Sequence, residues 1–134
     1  VDPGKRSDET VLRLAAEPQS AARARHAAVA LALRLGAAAD TCSSVAVAVT
    51  EAVANVVVHA YRKGSPGDVE VVIRGDPRQL EVLVSDTGVG LSARDDSPGL
   101  GLGLGLMAEL ADVFEVYVGN AATGTRVRLC FSLP

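Results

Sequence analysis

Apolar residues recur at every second position in five stretches of this chain, and longer Ala-, Val- and Leu-rich stretches lie between them. Leu12 and Leu14 share one face with Val11 and Arg13 on the other, which predicts a strand over Thr10–Ala15. Pro18 opens a helix running to about Leu35, with Gly36 in the C-cap position. A second helix is expected over 41–62, with Asp40 or Thr41 as its N-cap and Gly64-Ser65-Pro66-Gly67 ending it. Its Val, Ala and Thr content weakens its intrinsic propensity, so burial must hold it together. Val69, Val71 and Ile73, then Leu80, Val82 and Val84, mark two strands of a hairpin turned at Gly75-Asp76-Pro77. Residues 87–100 are rich in Gly, Ser and Asp and read as a loop. A third helix is expected to start near Gly101–Gly105 and end near Ala111. Phe114, Val116 and Val118 form one strand face; Val127, Leu129, Phe131 and Leu133 form another, with the turn at Gly119–Gly124. Consecutive strands joined by short turns imply a mostly antiparallel sheet. The expected fold class is α+β: a two-layer α/β sandwich with three main helices on one face of the sheet.

The 134 residues give room for one domain, and a chain of this length buries ~68% of its unfolded surface. Residues 1–9 are polar and carry Pro and Gly; they are expected to be a linker or an expression remnant, with the domain over 10–134. A net charge of −3 and only 3% aromatic residues argue against binding nucleic acid or an anionic membrane surface. Cys42 and Cys130 are too few for a disulfide framework or a four-ligand zinc site, so a cytoplasmic setting is expected. The longest apolar run, Val45–Ala60, is interrupted by Thr50, Glu51, Asn55 and His59 and reads as too short and polar to span a bilayer. No signal peptide pattern is visible.

Four segments could carry chemistry. Glu51, Asn55 and His59 recur at i, i+4, i+8, which places them within ~80° of arc on one helical stripe. The positions around them are almost all Ala or Val, so this is a narrow polar stripe on an otherwise apolar helix, either solvent-facing or lining a wet cleft. Asp86-Thr87-Gly88-Val89-Gly90 follows a strand directly. A carboxylate there can accept a hydrogen bond from an exocyclic amine, and Gly88 and Gly90 permit close approach of a ring; an ordinary Asp-Gly turn has the same pattern. Gly and Leu alternate over 99–106 into the third helix, where Gly101 and Gly103 leave backbone N–H groups open at a helix N-terminus, as phosphate sites do. The Walker-type and dinucleotide-binding patterns are both absent there, and a hinge is the alternative. Gly124-Thr125 opens the last strand.

Taken together and in this order, the four segments resemble the sequence boxes of the GHKL (histidine kinase-like) ATPase superfamily. Glu51-x-x-x-Asn55 resembles the N box, Asp86-x-Gly88-x-Gly90 the G1 box, Gly101-x-Gly103 the G2 box and Gly124-Thr125 the last box. Within that group TEAVANVVVHAY, DTGVGL and GLGLGLMAELADVFEV look like the bacterial anti-sigma-factor serine/threonine kinases, over about residues 10–133. Gly105 departs from the bulky apolar residue common there, which would loosen the start of the third helix.

The resemblance implies ATP with Mg²⁺. Asn55 would hold the metal, Asp86 would read the adenine amine with support from Thr125, and Gly88 and Gly90 would admit the base. Gly101 and Gly103 would cradle phosphates, and residues 91–100 would form a lid. Glu51 would be the general base toward a Ser or Thr hydroxyl of an anti-anti-sigma (STAS-type) antagonist. His59 would support the phosphate end or cap the stripe. The implied partners are a sigma factor, that antagonist and a second copy in a homodimer; Arg23, Arg25 and His26 give the first helix a small basic face suited to a partner. Two alternatives remain at this level: a nucleotide-gated sigma-binding module without phosphoryl transfer, and the catalytic domain of a sensor histidine kinase.

Overall fold

In the computed structural model the described residues are 8–60, 67–86, 100–118 and 124–133, with the side chains of 59, 60, 100–103 and 118 outside the description. The elements are β1 (Asp8–Ala15), α1 (Pro18–Arg34), α2 (Ala39–Asn55), a π-helical turn (Val56–Ala60), β2 (Asp68–Asp76), β3 (Gln79–Asp86), α3 (Leu100–Leu110), β4 (Val113–Val118) and β5 (Thr125–Ser132). The strands form one sheet in the order β1-β2-β3-β5-β4, every neighbouring pair antiparallel. This is the expected two-layer sandwich.

The period-2 pattern sends one set of side chains under the helices. Val69, Val71 and Ile73 of β2, Leu80, Val82 and Val84 of β3, and Leu129 and Phe131 of β5 are all essentially buried. The helices meet them with Ala24, Ala28 and Leu31 of α1, Val45, Ala48, Val49, Ala52 and Val53 of α2, and Met107 of α3. Small residues on both helices let α1 and α2 pack closely over the sheet.

Local signals explain most boundaries. Pro18 sits in the first turn of α1, where its missing N–H is not needed. Ser20 Oγ donates to the Ala15 carbonyl at 2.6 Å and ties α1 to the end of β1. α1 stops in a Schellman turn: Ala37 N–H bonds to Ala32 O, Gly36 N–H to Leu33 O, and Gly36 takes φ 90°. Other boundaries differ from expectation. α2 begins at Ala39 after an extended Ala38, with no side-chain cap; Asp40 lies in the first turn, where its charge still complements the helix dipole. The α-helix ends at Asn55 and the chain widens into the π turn, so 41–62 is not one α-helix. α3 begins at Leu100, ahead of the glycines.

Gly75 lies within β2, paired with Leu80, and the hairpin reverses at Pro77-Arg78 with Asp76 Oδ1 accepting from the N–H groups of Arg78 and Gln79. The reason for glycine is close approach: a Cβ at 75 would run into Leu35 Cδ1, with Gln79 O 3.1 Å away.

The other sheet face carries no described helix and is tied by ion pairs. Arg13 bonds Glu70 at 2.9 Å, Arg74 bonds Glu81 at 2.6 Å, and Arg128 bridges Glu81 at 2.6 Å and Glu115 at 2.5 Å. Partial burial pushes the Glu81 carboxyl up, but hydrogen bonds from Arg128 and Arg74, with their charges, outweigh it and hold the group below the ordinary carboxylate range. Cys130 lies on this face opposite Glu81, and burial pushes its thiol up.

Two outcomes are expected. Gly75→Ala should cost about 1 kcal/mol in urea unfolding, because the end of the Leu35 side chain can swing away but the Gln79 carbonyl, 3.1 Å from the new Cβ, must give way slightly. A carboxyl whose pKa is lowered by folding stabilises fully above its unfolded value and loses that contribution as pH falls through the folded value. Stability curves of Glu81→Gln and wild type should therefore differ most at neutral pH, start to draw together as pH falls through about 4.5 and meet only below the lowered folded value.

Candidate functional site

Three of the four chemically suggestive segments have described side chains. Glu51 and Asn55 occupy the last α-helical turn of α2, both half-buried, flanking the buried face of Val49, Ala52 and Val53. The i, i+4 spacing does bring these two onto one stripe. The third member does not continue it as an α-helix would: His59 falls in the π turn, whose wider winding breaks the α register just after Asn55. π turns recur at functional sites.

Asn55 carries an unusual feature. Its Nδ2 is buried and has no hydrogen-bond partner, the one such side-chain atom among the described residues. Leaving a buried amide N–H unpaired costs about 1–3 kcal/mol. Evolution tolerates that cost where a side chain is held for a ligand rather than for the fold.

The sheet supplies the second half. Asp86 ends β3 and is 7% exposed; Thr125 opens β5 and is 5% exposed. β3 and β5 pair up to Ser85 opposite Arg126, so one residue further along that register Asp86 and Thr125 come level. Both are in phase with the inward residues Val84 and Val127, and Asp86 stands opposite the buried Val69. A carboxylate and a hydroxyl are thus brought to the helix side of the sheet at one strand end. α2 packs directly over β3 and β5. Gly124 precedes Thr125 at φ 66°, a left-handed conformation that favours glycine there.

Gly101 and Gly103 lie in the first turn of α3, which also packs on α2. Gly105 is exposed, and a Cβ there would meet nothing within 4 Å, so no close approach demands glycine at that position. Gly88, Gly90 and residues 91–99 lie outside the described residues.

Sequence reasoning missed one contact. Arg25, grouped with Arg23 and His26 as a basic face of α1, is half-buried and donates from Nη1 to Thr50 Oγ1 at 3.3 Å. Thr50 in turn donates to the Ala46 carbonyl at 2.7 Å. The arginine therefore clips α1 to the turn of α2 that carries Glu51, and Arg23 and His26 remain as the exposed part of that face.

The donor set suits a metal that arrives with its ligand. No group of three or more His, Cys, Asp or Glu is placed to hold an ion among the described residues. A single amide oxygen at Asn55, completed by phosphate oxygens and water, matches the habits of Mg²⁺. Length and hydropathy alone would let Ala39–Val58 cross a membrane. This run is longer and more apolar than the sequence reading allowed, yet Val45, Ala48, Val49, Ala52 and Val53 within it are core residues packed on α1 and the sheet.

The chain matches the histidine kinase-like ATPase domain family model over residues 14–131. It is 28% identical to a serine-protein kinase RsbW of Bacillus licheniformis, over 87% of this chain and 82% of that protein. An RsbW of Bacillus velezensis is 29% identical with the same coverage. An anti-sigma F factor of Shouchella clausii is 37% identical over 37% of this chain and 34% of its own. Among solved structures, the RsbU and RsbW domains of a Mycobacterium tuberculosis protein superpose with a TM-score of 0.73 at 21% identity. That match covers 95% of this chain, which spans 33% of the solved chain; the likeness is one of fold.

Replacing Asn55 by leucine removes the unpaired N–H at similar volume. Asn55→Leu should leave the ligand-free protein as stable as wild type or more stable by about 1 kcal/mol in urea unfolding. A loss of about 2 kcal/mol or more would mark the amide as a structural partner instead.

Proposed function

This chain belongs to the histidine kinase-like ATPase domain family, and from that premise we propose that it is an ATP-dependent serine/threonine protein kinase acting as an anti-sigma factor. The observation that carries the reading is the pairing on the last turn of α2: a carboxylate, Glu51, one turn ahead of a buried amide, Asn55, with no partner at Nδ2. Relatives named serine-protein kinase RsbW, aligned over most of the chain, support the reaction class. The name of the anti-sigma F factor supports the sigma-factor partner.

In this reading Asp86 accepts from the exocyclic amine of adenine, a neutral donor that suits a buried carboxylate, and Thr125 supports it from β5. Gly88 and Gly90 let the base lie against the backbone. Gly101 and Gly103 offer N–H groups at the start of α3 to the phosphates. Asn55 would hold Mg²⁺ through its side-chain oxygen, and the ion, when bound, would neutralise phosphate charge.

Glu51 accepts the proton of a serine or threonine hydroxyl on the antagonist. As that oxygen bonds to the γ-phosphorus, the bond from the phosphorus to the β,γ-bridging oxygen breaks, leaving the phosphorylated side chain and ADP. Most of the rate in such transfers comes from positioning and charge neutralisation, and the base adds a smaller factor of roughly 10²–10⁴. The reading includes a STAS-type antagonist, a sigma factor, a homodimer and a cytoplasmic setting.

Incubation with ATP, Mg²⁺ and candidate antagonist domains, followed by mass spectrometry for phosphoserine, tests it. Glu51→Ala should retain ATP affinity by calorimetry and lose transfer by about 10²-fold or more. Transfer at the wild-type rate removes Glu51 as the base, and absence of any heat on adding ATP to folded protein removes the whole reading. Acid-labile phosphate on the product would select a histidine kinase instead.

A further inference from the structure

Arg25 is a half-buried cation that none of the ion pairs among the described residues involves. A guanidinium drawn partly out of water loses hydration, and a carboxylate is the partner that best replaces it. Here the guanidinium donates instead to a neutral oxygen, Thr50 Oγ1, at 3.3 Å. The Thr50 proton is already committed to the Ala46 carbonyl at 2.7 Å, so the hydroxyl offers Arg25 a lone pair held in one direction. Among the described residues this is the one side-chain hydrogen bond between α1 and α2, and it lands on the residue just before Glu51. A back-bond from threonine to the carbonyl four residues earlier tends to bend a helix. One turn further on the winding does change: the Val56 N–H is shared between Ala52 O and Val53 O, and the π turn begins there. The alignment of Glu51 with Asn55 depends on α winding over these few residues, since four residues advance about 400° and return close to the same line. In the wider winding of a π turn the same step falls short of a full revolution, and Asn55 would swing around the axis relative to Glu51.

We propose that Arg25 is a positioning residue for phosphoryl transfer: by holding Thr50 it keeps the last turn of α2 in α winding and so keeps Glu51 aligned with Asn55. Val49, Ala52 and Val53 fix the buried side of that turn against the core. Arg25 holds its outer side, one turn ahead of the change in winding. In this role Arg25 touches neither the nucleotide nor the acceptor hydroxyl; it acts through the helix that carries them. Misplacing a reacting group by about 1 Å lowers transfer by up to about 10²-fold, so a small loosening is enough to be read in kcat. The basic face of α1 is thereby divided: Arg23 and His26 are exposed, whereas Arg25 works inside the protein. The inference rests on the reading above for the reaction it affects, but not for the winding it holds.

Three variants test it. Arg25→Met removes the donors and keeps the stem, Thr50→Val removes the acceptor at similar volume, and Thr50→Ser keeps the hydroxyl. With a STAS-type domain as acceptor, Arg25→Met and Thr50→Val should each lower kcat about tenfold and leave KM for that domain within twofold, which marks a lost reacting geometry and not lost binding. Thr50→Ser should stay within twofold of wild type in kcat. The double variant should be no slower than either single one, because all three lose the same contact. Amide hydrogen exchange on the nucleotide-free protein needs no transfer. Exchange at residues 51–55 should rise about tenfold in Arg25→Met and Thr50→Val, with residues 24–31 of α1 unchanged. Slow transfer in Arg25→Met but not in Thr50→Val, a change confined to KM, or additive losses in the double variant overturns the proposal. Exchange at residues 51–55 that is unchanged, or raised equally throughout both helices, overturns it as well. Should wild type phosphorylate no STAS-type domain, the reading above fails and the exchange data alone decide this one. Thr50→Val against Thr50→Ser decides the matter should Arg25→Met not fold.

Discussion

Burial of α2 is the constraint on which this molecule depends. The helix is built from valine, alanine and threonine, which are mediocre helix formers, and it lacks a side-chain N-cap. Its stability comes from one face, Val45, Ala48, Val49, Ala52 and Val53, driven into the layer between α1 and the sheet. Because that face is committed to the core, the residues between its members are forced to the other side. Glu51 and Asn55 are polar residues on a helix that cannot rotate to hide or release them. Their position follows from the packing of their neighbours.

The same two-sidedness governs the sheet. Inward residues of β2, β3 and β5 are apolar almost without exception, so the few polar inward residues carry information. Asp86 and Thr125 stand at the end of the inward pattern, where apolar packing gives way to polar groups that remain buried. The outward face has the opposite character. Its arginines and glutamates pair with one another across all five strands, and Glu81, gripped by two arginines, is the hub of the larger group. One sheet thus separates a helix-covered side, whose strand ends carry buried polar groups, from a charged and partly apolar side.

Much of this was legible from the chain. The five strands, the two hairpins β2–β3 and β4–β5 and the two long helices were legible from periods of 2 and 3.6 and from turn residues, because side-chain direction in a regular element is set by backbone geometry, whereas the pairing of β1 with β2 and of β3 with β5 was not. The end of α1 followed from Gly36, where the left-handed turn strongly favours glycine. The end of α2 was not legible: nothing in Val56-Val57-Val58 announces that α winding yields to π winding, since the same residues suit either. Arg25 looked like part of a solvent face because its bond to Thr50 exists only once α1 and α2 lie side by side. Gly75 looked like a turn residue, yet its role is to make room for Leu35, which arrives from a different element.

By itself the sequence determined the alternation of faces, the order of elements and the residue types available at each polar position, all of which are local properties of the backbone and its side chains. Only the tertiary structure decided that Asp86 and Thr125 come level, that Arg25 clips α2, and that Asn55 keeps a buried unpaired amide. These depend on strand register and helix packing. Both are set by the summed burial of many distant apolar residues, which no short segment encodes on its own.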